Sequence, residues 1–290
     1  MEIRGSNPLG GTPAVFSALG IVPESSRLSL REPIVCHEAS SLPAILGPAR
    51  NPATEQALTL VASDGARSRA FLARPDVSSG VGVVVLPDNR GLHPFYERLA
   101  LALAEQGYPA LALDWYGRTA GAGPRDAEFP IMEHLLQVRR ETIDADIAAA
   151  ADRLRKSEDC PTIVTLGFCF GGRQSFLAMA RGTTIAAAIG FYGAPGVYPN
   201  GALGPTQRAA ELRGPILAFF GGADEGIPPA EVAAFDAALT AASVEHDITT
   251  YPGAAHGFFD LALEAFATAS TDAWRQSLAF IARLKPPAPG

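Results

Sequence analysis

The sequence predicts an α/β fold, with a mostly parallel sheet of about eight strands and helices on both faces. From Ala57 onward, short runs of valine, isoleucine and leucine alternate with stretches of helical periodicity, which is typical of βαβ units. The 290-residue chain is 48% hydrophobic and 18% charged, so it can bury a large core. This composition excludes a disordered chain, a coiled coil and a collagen-like filament.

Residues 1–55 are predicted to be an N-terminal extension that precedes the α/β domain, residues 56–290. Seven prolines in this extension make long helices and inner strands difficult to build. It is either a flexible leader or a strap, held on the domain or on a partner subunit by apolar residues such as Val15, Phe16 and Leu19. The second interpretation includes a homodimer formed through the arm.

The elements of the domain follow in a regular order. Strands are predicted at 57–63, 68–75, 81–87, 109–114, 162–168, 183–193, 215–222 and 245–251. Helices are predicted at 94–106, 131–155 (one long helix or a helix pair), near 171, and at 228–242 and 271–284. The first two strands form a hairpin, because Asp64-Gly65 supplies the positive φ of a tight turn.

Charge and cysteine content narrow the function classes. A net charge of -7 and a pI near 5.3 argue against nucleic-acid binding. We expect no membrane span and no signal peptide, and hence a cytoplasmic protein, because no apolar run is long enough and the N-terminus has no clear positive charge. The 3 cysteines show no CxxC spacing and no HExxH is present, so we expect no disulfide framework, metal or other cofactor.

The segment Gly167-Phe168-Cys169-Phe170-Gly171 fits a nucleophile elbow, in which a strained turn between a strand and a helix presents the nucleophile. Glycines are required on either side because side chains there would collide with the neighbouring strand and helix. The N-terminus of the following helix would stabilise a thiolate at Cys169. The alternative is that Cys169 is a small buried hydrophobic residue.

An elbow nucleophile requires an acid and then a histidine on later loops at the carboxyl ends of strands. Asp224 directly follows the strand 215–222, with Glu225 as its nearest rival. His256 follows the last strand, whereas its rival His246 lies near the start of that strand, at the wrong end. The remaining histidines precede the elbow and are interpreted as solvated or capped, at best ligand-lining: His37, His93 and His134.

Two backbone amides are the expected donors to a tetrahedral oxyanion. One belongs to Phe170, directly after the nucleophile, and the other to Asn89, in the loop after the first central strand. Loss of one such donor costs about 2.7 to 4 kcal/mol of transition-state stabilisation. The alternative for the Asn89 loop is a simple polar turn.

These motifs, in this order, resemble the dienelactone hydrolase family of the α/β-hydrolase fold. The resemblance covers about residues 57–285 and is carried by DNRGL, AEQGYPALALDWYGR, GFCFGG, the Asp224 loop and YPGAAHGF. It implies that Cys169 attacks an ester carbonyl, His256 transfers the proton and Asp224 orients the imidazole.

Two departures from the family pattern concern the substrate side. The family glutamate that pairs with the resting thiol is replaced by Asp88, which could instead cap the next helix. A family arginine that grips the substrate carboxylate, four residues after the histidine, is replaced by Asp260. We therefore expect a neutral lactone or ester. The family has a second arginine that grips the carboxylate, in the region after DWYGR, and this sequence has Glu133 and His134 near that place. Four arginines could replace it spatially: Arg118, Arg125, Arg139 and Arg140.

Three aromatic residues, Tyr116, Trp115 and Phe258, are predicted to line the substrate pocket, with core packing as the alternative. The sequence thus predicts a hydrolase of a small-molecule lactone or ester that works through an acyl-thiol intermediate. An acyltransferase, isomerase or elimination catalyst on the same pocket is the second hypothesis. A non-catalytic ligand-binding module is disfavoured because the triad residues are all present.

Overall fold

A computed structural model of the chain describes residues 37, 40–45, 47–125, 128–180, 184–198 and 200–284. The predicted contacts of Val15, Phe16 and Leu19 lie outside the described residues. None of the helices in the described ranges combines the length and the apolar character that crossing a bilayer requires.

The described residues contain one eight-stranded sheet with strand order β1-β2-β4-β3-β5-β6-β7-β8. Its strands are β1 (Ala53–Val61), β2 (Arg67–Pro75), β3 (Val81–Leu86), β4 (Ala110–Leu113), β5 (Thr162–Phe168), β6 (Ala187–Phe191), β7 (Ile216–Gly221) and β8 (His246–Tyr251). The pairs β1–β2 and β2–β4 are antiparallel and all the others are parallel. The predicted fold class is confirmed.

β1 begins before its predicted start, inside the stretch predicted as the extension. Its early residues pair in register with the end of β2, from Ala53 opposite Pro75 to Gln56 opposite Leu72. Most of β1 is exposed, so its polar N-terminal half has no apolar alternation that would have marked it as a strand. The hairpin turn is as predicted, with Gly65 at a φ of 82°.

The helices of the described chain lie in the predicted places, except that a short helix at Gly117–Ala120 was not predicted. They are α1 (Pro94–Glu105), α2 (Gly117–Ala120), α3 (Ile131–Leu135), α4 (Arg140–Ser157), α5 (Phe170–Ala178), α6 (Pro229–Ala241) and α7 (Ala267–Arg283). The predicted helical stretch 131–155 is a helix pair. The helical conformation is interrupted at Arg139, which has an extended backbone. The Arg139 amide lies 3.3 Å from the Thr142 hydroxyl, and this contact caps the start of α4.

The core covers both faces of the central strands, because all 6 residues of β3 are buried and successive side chains point to opposite faces. From β3 the chain first crosses to β4 on one side and then returns to β5 on the other side. Such a reversal of strand order opens a crevice at the carboxyl ends of the strands, where α/β proteins bind ligands. The loops that follow β3, β5, β7 and β8 all begin at this edge.

Candidate active site

Cys169 lies in a sharp turn between β5 and α5, with a φ of 51° and a ψ of -112°. This left-handed conformation is costly for a residue other than glycine. The flanking glycines are needed as predicted, because a Cβ at Gly167 would lie 2.1 Å from the Gly171 carbonyl oxygen, and one at Gly171 would lie 2.1 Å from that of Leu86. The tight bend holds the thiol over the end of the sheet, partly exposed.

The loops after β7 and β8 bring Asp224 and His256 together. His256 Nδ1 donates a hydrogen bond of 2.6 Å to Asp224 Oδ2. The other carboxylate oxygen of Asp224 accepts the backbone amides of Gly226 and Ile227, at 2.8 and 3.1 Å. Both oxygens of this buried carboxylate are therefore occupied, which fixes the direction in which Asp224 faces the imidazole.

The His256 imidazole also interacts with the Cys169 side chain, through a hydrogen bond and through charge. Burial by itself would lower the pKa of His256, but the contacts with Asp224 and Cys169 outweigh it and raise the pKa to about 10. A protonated imidazole held between a carboxylate and a sulfur is the arrangement in which a thiolate is stabilised.

The two rivals from the sequence lie elsewhere. Glu225 is exposed, whereas the neighbouring Asp224 is buried. His246 lies at the start of β8, where its ring nitrogens bond the Val244 carbonyl at 2.7 Å and the Asp236 carboxylate at 3.2 Å. Neither rival faces the elbow, because each is on another surface or at the opposite end of its strand.

The two aromatic residues that follow β4 donate hydrogen bonds to the backbone of the loop between β3 and α1. The indole Nε1 of Trp115 donates to the carbonyls of Pro87 and Asp88, at 3.2 and 3.0 Å, and the Tyr116 hydroxyl donates to the Asn89 carbonyl. Because a trans peptide is planar, the amide of Asn89 points away from the Asp88 carbonyl and therefore away from Trp115. These contacts fix the orientation of the predicted oxyanion donor.

Asp88 belongs to this loop and is completely buried. Its Oδ1 accepts the Arg90 amide at 2.8 Å and lies 3.8 Å from His93 Nε2, while Oδ2 has no hydrogen-bond partner among the described residues. The alternative that Asp88 caps the next helix is wrong, because α1 has His93 at its N-cap and Asp88 closes a turn instead. The pairing of Asp88 with the Cys169 thiol stays a prediction.

The three predicted pocket residues lie behind the site rather than on an open surface. Tyr116 and Phe258 are fully buried and Trp115 is 3% exposed. Phe258 packs among the rings of Phe191, Tyr192 and Tyr251. Tyr116 and Trp115 act on the loop backbone as described, and direct contact of the three with substrate stays a prediction.

His37 is the residue that sequence reasoning missed. Its predicted solvated or capped environment is wrong, because it is 1% exposed, stacks on Phe95 at 3.8 Å between ring centroids and bonds the Tyr192 hydroxyl at 2.9 Å. Tyr192 in turn lies 4.9 Å from the His256 ring. No sequence signal marks His37, because its stretch has no periodicity and only the tertiary fold brings it to the elbow.

The fold and this arrangement define the class as an α/β-hydrolase. The model of the Dienelactone hydrolase family matches residues 68–284, and the chain belongs to that family. It is 31% identical over 231 residues to an Escherichia coli strain K12 protein named "Putative carboxymethylenebutenolidase", covering 76% of this chain and 84% of that protein. A Salmonella typhimurium protein of the same name is 30% identical over 237 residues, covering 78% and 86%.

Solved structures agree. A Klebsiella pneumoniae protein titled a "Putative Dienelactone Hydrolase" superposes with a TM-score of 0.67 at 27% identity, covering 80% of this chain and 100% of that one. A dienelactone hydrolase-like promiscuous phosphotriesterase from metagenomic libraries has the same fold, with a TM-score of 0.67 at 20% identity over 81% and 99%. The chain is a hydrolase of lactone or ester bonds.

The packing around Gly171, the elbow glycine after the nucleophile, can be tested by measuring the free energy of unfolding. We expect Gly171→Ala to lower the free energy of unfolding by about 3 kcal/mol, because the new methyl group would press on the backbone carbonyls of Leu86 and Pro87. Urea denaturation measures this. Gly123→Ala is the control, since nothing lies within 4 Å of its Cβ, and should change stability by less than about 0.5 kcal/mol. Equal stability of the two variants would contradict the packing of the elbow.

Proposed function

We propose that this hydrolase cleaves its lactone or ester with Cys169 as nucleophile, His256 as proton carrier and Asp224 as the orienting acid. The Cys169 sulfur attacks the carbonyl carbon and the C–O bond breaks. The departing alkoxide takes the proton of His256, leaving a thioester. Water then attacks the thioester while His256 accepts a proton from it, which releases the carboxylic acid and restores the sulfur.

The observation that carries this proposal is the His256 contact on both sides. A 2.6 Å bond to Asp224 at Nδ1 leaves Nε2 as the nitrogen for the sulfur and the leaving group. The imidazole also makes a hydrogen bond with the Cys169 side chain. This supports one proton-transfer path from nucleophile to leaving group.

The oxyanion is assigned to two amides. Phe170 N–H opens α5, and the first amides of a helix have no intrahelical acceptor. Asn89 N–H points away from Trp115, the side chain that holds its loop. Both donors are main-chain groups held by the fold, so they need no reorganisation when charge develops on the carbonyl oxygen.

The nucleophile is tested by turnover of a small activated ester. Cys169→Ala is expected to reduce kcat by about a thousandfold or more, because no other group takes over the acyl transfer. Cys160→Ala is the matched control, since this buried thiol has its pKa raised by burial to about 11, and it should leave kcat unchanged. Undiminished turnover by Cys169→Ala would overturn the assignment.

We also propose that the substrate is neutral at the end that faces Asp260. Burial by itself would raise the pKa of Asp260, but the nearby His37 ring and the hydrogen bonds from the Ser41 hydroxyl and the Ala262 amide outweigh it and lower the pKa to about 2, so the carboxylate is charged. Two of the arginines considered as replacements are already paired, Arg118 with Asp64 and Asp146, and Arg125 with Asp114. The name of the relatives, "Putative carboxymethylenebutenolidase", denotes a carboxylated lactone, and this chain is proposed to differ.

Two lactones that differ only in a carboxylate or a carboxamide test the charge preference. We expect kcat/KM to be about tenfold or more higher for the carboxamide, because a carboxylate would approach the buried Asp260 charge. Asp260→Asn should reduce the ratio of kcat/KM for the carboxamide to kcat/KM for the carboxylate. Asp247→Asn, at an exposed carboxylate of β8, should leave this ratio unchanged. A preference for the carboxylate in the unmodified enzyme would refute a neutral substrate.

A further inference from the structure

A short stretch before β1 packs on the carboxyl edge of the sheet, beside the candidate active site. We call residues 37 and 40–45 the docked segment. The Leu42 carbonyl accepts the Leu261 amide at 2.8 Å, and the Ser41 hydroxyl donates to Asp260 Oδ2. Arg90, in the loop after β3, donates to the His37 carbonyl. The docked segment is therefore bonded to the loops on both sides of the crevice.

His37 is held in one orientation within this segment. Its ring stacks on Phe95, with Nε2 at 2.9 Å from the Tyr192 hydroxyl and Nδ1 at 3.9 Å from Asp260 Oδ2. Burial lowers the pKa of His37 by more than the neighbouring carboxylates of Asp260 and Asp88 raise it, so the imidazole is neutral. A neutral imidazole whose Nδ1 faces a carboxylate carries its proton on Nδ1, and Nε2 then accepts a hydrogen bond from the Tyr192 hydroxyl.

Tyr192 connects His37 to the triad. It follows β6 with a φ of 38°, the same left-handed region that Cys169 occupies after the neighbouring strand β5. Its backbone amide donates to the Phe219 carbonyl at 2.7 Å, and its ring centroid lies 4.9 Å from that of His256. A strained backbone that persists at a site indicates a side chain whose placement matters.

The chain Asp260–His37–Tyr192 thus ends in contact with the His256 ring. The Tyr192 hydroxyl bonds His37, and the Tyr192 ring packs at a tilt of 56° against the imidazole, which Asp224 bonds at Nδ1. The imidazole also bonds the Cys169 side chain, so a change in the tilt of the ring would move Nε2 relative to the sulfur. A misplacement of about 1 Å in a proton-transfer group can cost about a hundredfold in rate.

We propose that His37 is a positioning residue of the active site, which acts through Tyr192 on the orientation of His256. The docked segment then completes the site within the same chain. This inference rests on the proposed role of His256 in proton transfer. It concerns the chemical step, so kcat should respond more than KM.

Variants of the full-length chain test this role. His37→Ala is expected to lower kcat about tenfold with KM changed by less than about twofold. His37→Gln should recover most of the loss, because its amide oxygen can reach the position of Nε2 and accept the Tyr192 proton. Tyr192→Phe, which removes only the oxygen, should lower kcat by a similar factor.

The double variant His37→Ala with Tyr192→Phe gives the sharpest outcome. If His37 acts through Tyr192, the double variant has the kcat of the slower single variant, whereas independent effects would multiply to about a hundredfold. His246→Ala is the matched control, a histidine paired with an aspartate at the other end of a strand, and should leave kcat unchanged.

Three results would overturn the inference: an unchanged kcat in His37→Ala, a rise in KM alone, or multiplicative losses without recovery by His37→Gln. Failure of the proposed function can be distinguished from failure of this inference, because only the former would leave Cys169→Ala active. An inactive Cys169→Ala together with a fully active His37→Ala removes only the role of His37.

Discussion

The left-handed backbone conformation of Cys169 is the constraint on which the site depends. It costs about 1 to 3 kcal/mol, and the surrounding structure holds it in place. The Cys169 amide donates to the Phe191 carbonyl at 2.9 Å, and Gly167 and Gly171 allow β5, α5 and β3 to approach without a side chain between them. The thiol is thereby held at the edge where the loops after β7 and β8 begin, so the His256 imidazole contacts it although His256 is far along the chain.

Two aspartate–histidine pairs meet at this edge of the sheet and differ in charge. His37 is buried and His256 is partly buried, and burial by itself lowers the pKa of each. A hydrogen bond of 2.6 Å to Asp224, with the nearby sulfur, outweighs burial at His256, whereas a separation of 3.9 Å from Asp260 does not at His37. The closer pair therefore yields a protonated imidazole that can give up a proton, and the looser pair a neutral imidazole whose Nε2 accepts a hydrogen bond from the Tyr192 hydroxyl.

Much of the fold and the central chemistry could be predicted because local rules determine them. The apolar runs mark the parallel strands, and the spacing of Gly167, Cys169 and Gly171 marks a turn that only glycines tolerate. The order of Asp224 and His256 after their strands places both at one edge. His37 could not be predicted, since its partners Phe95, Tyr192 and Asp260 are brought to it only by tertiary packing. The support of the Asn89 loop by the Trp115 indole is likewise a contact of the folded chain.

The most direct test of the account is the pH dependence of Cys169 carbamidomethylation by iodoacetamide, followed by peptide mapping. The imidazolium of His256, with a pKa of about 10, persists through neutral pH and should keep the sulfur as a thiolate. The account predicts a rate that is already at its plateau near neutral pH, and a titration moved to about 8.5, the value of a free thiol, in His256→Ala. A rate that rises through about 8.5 in both proteins would contradict it.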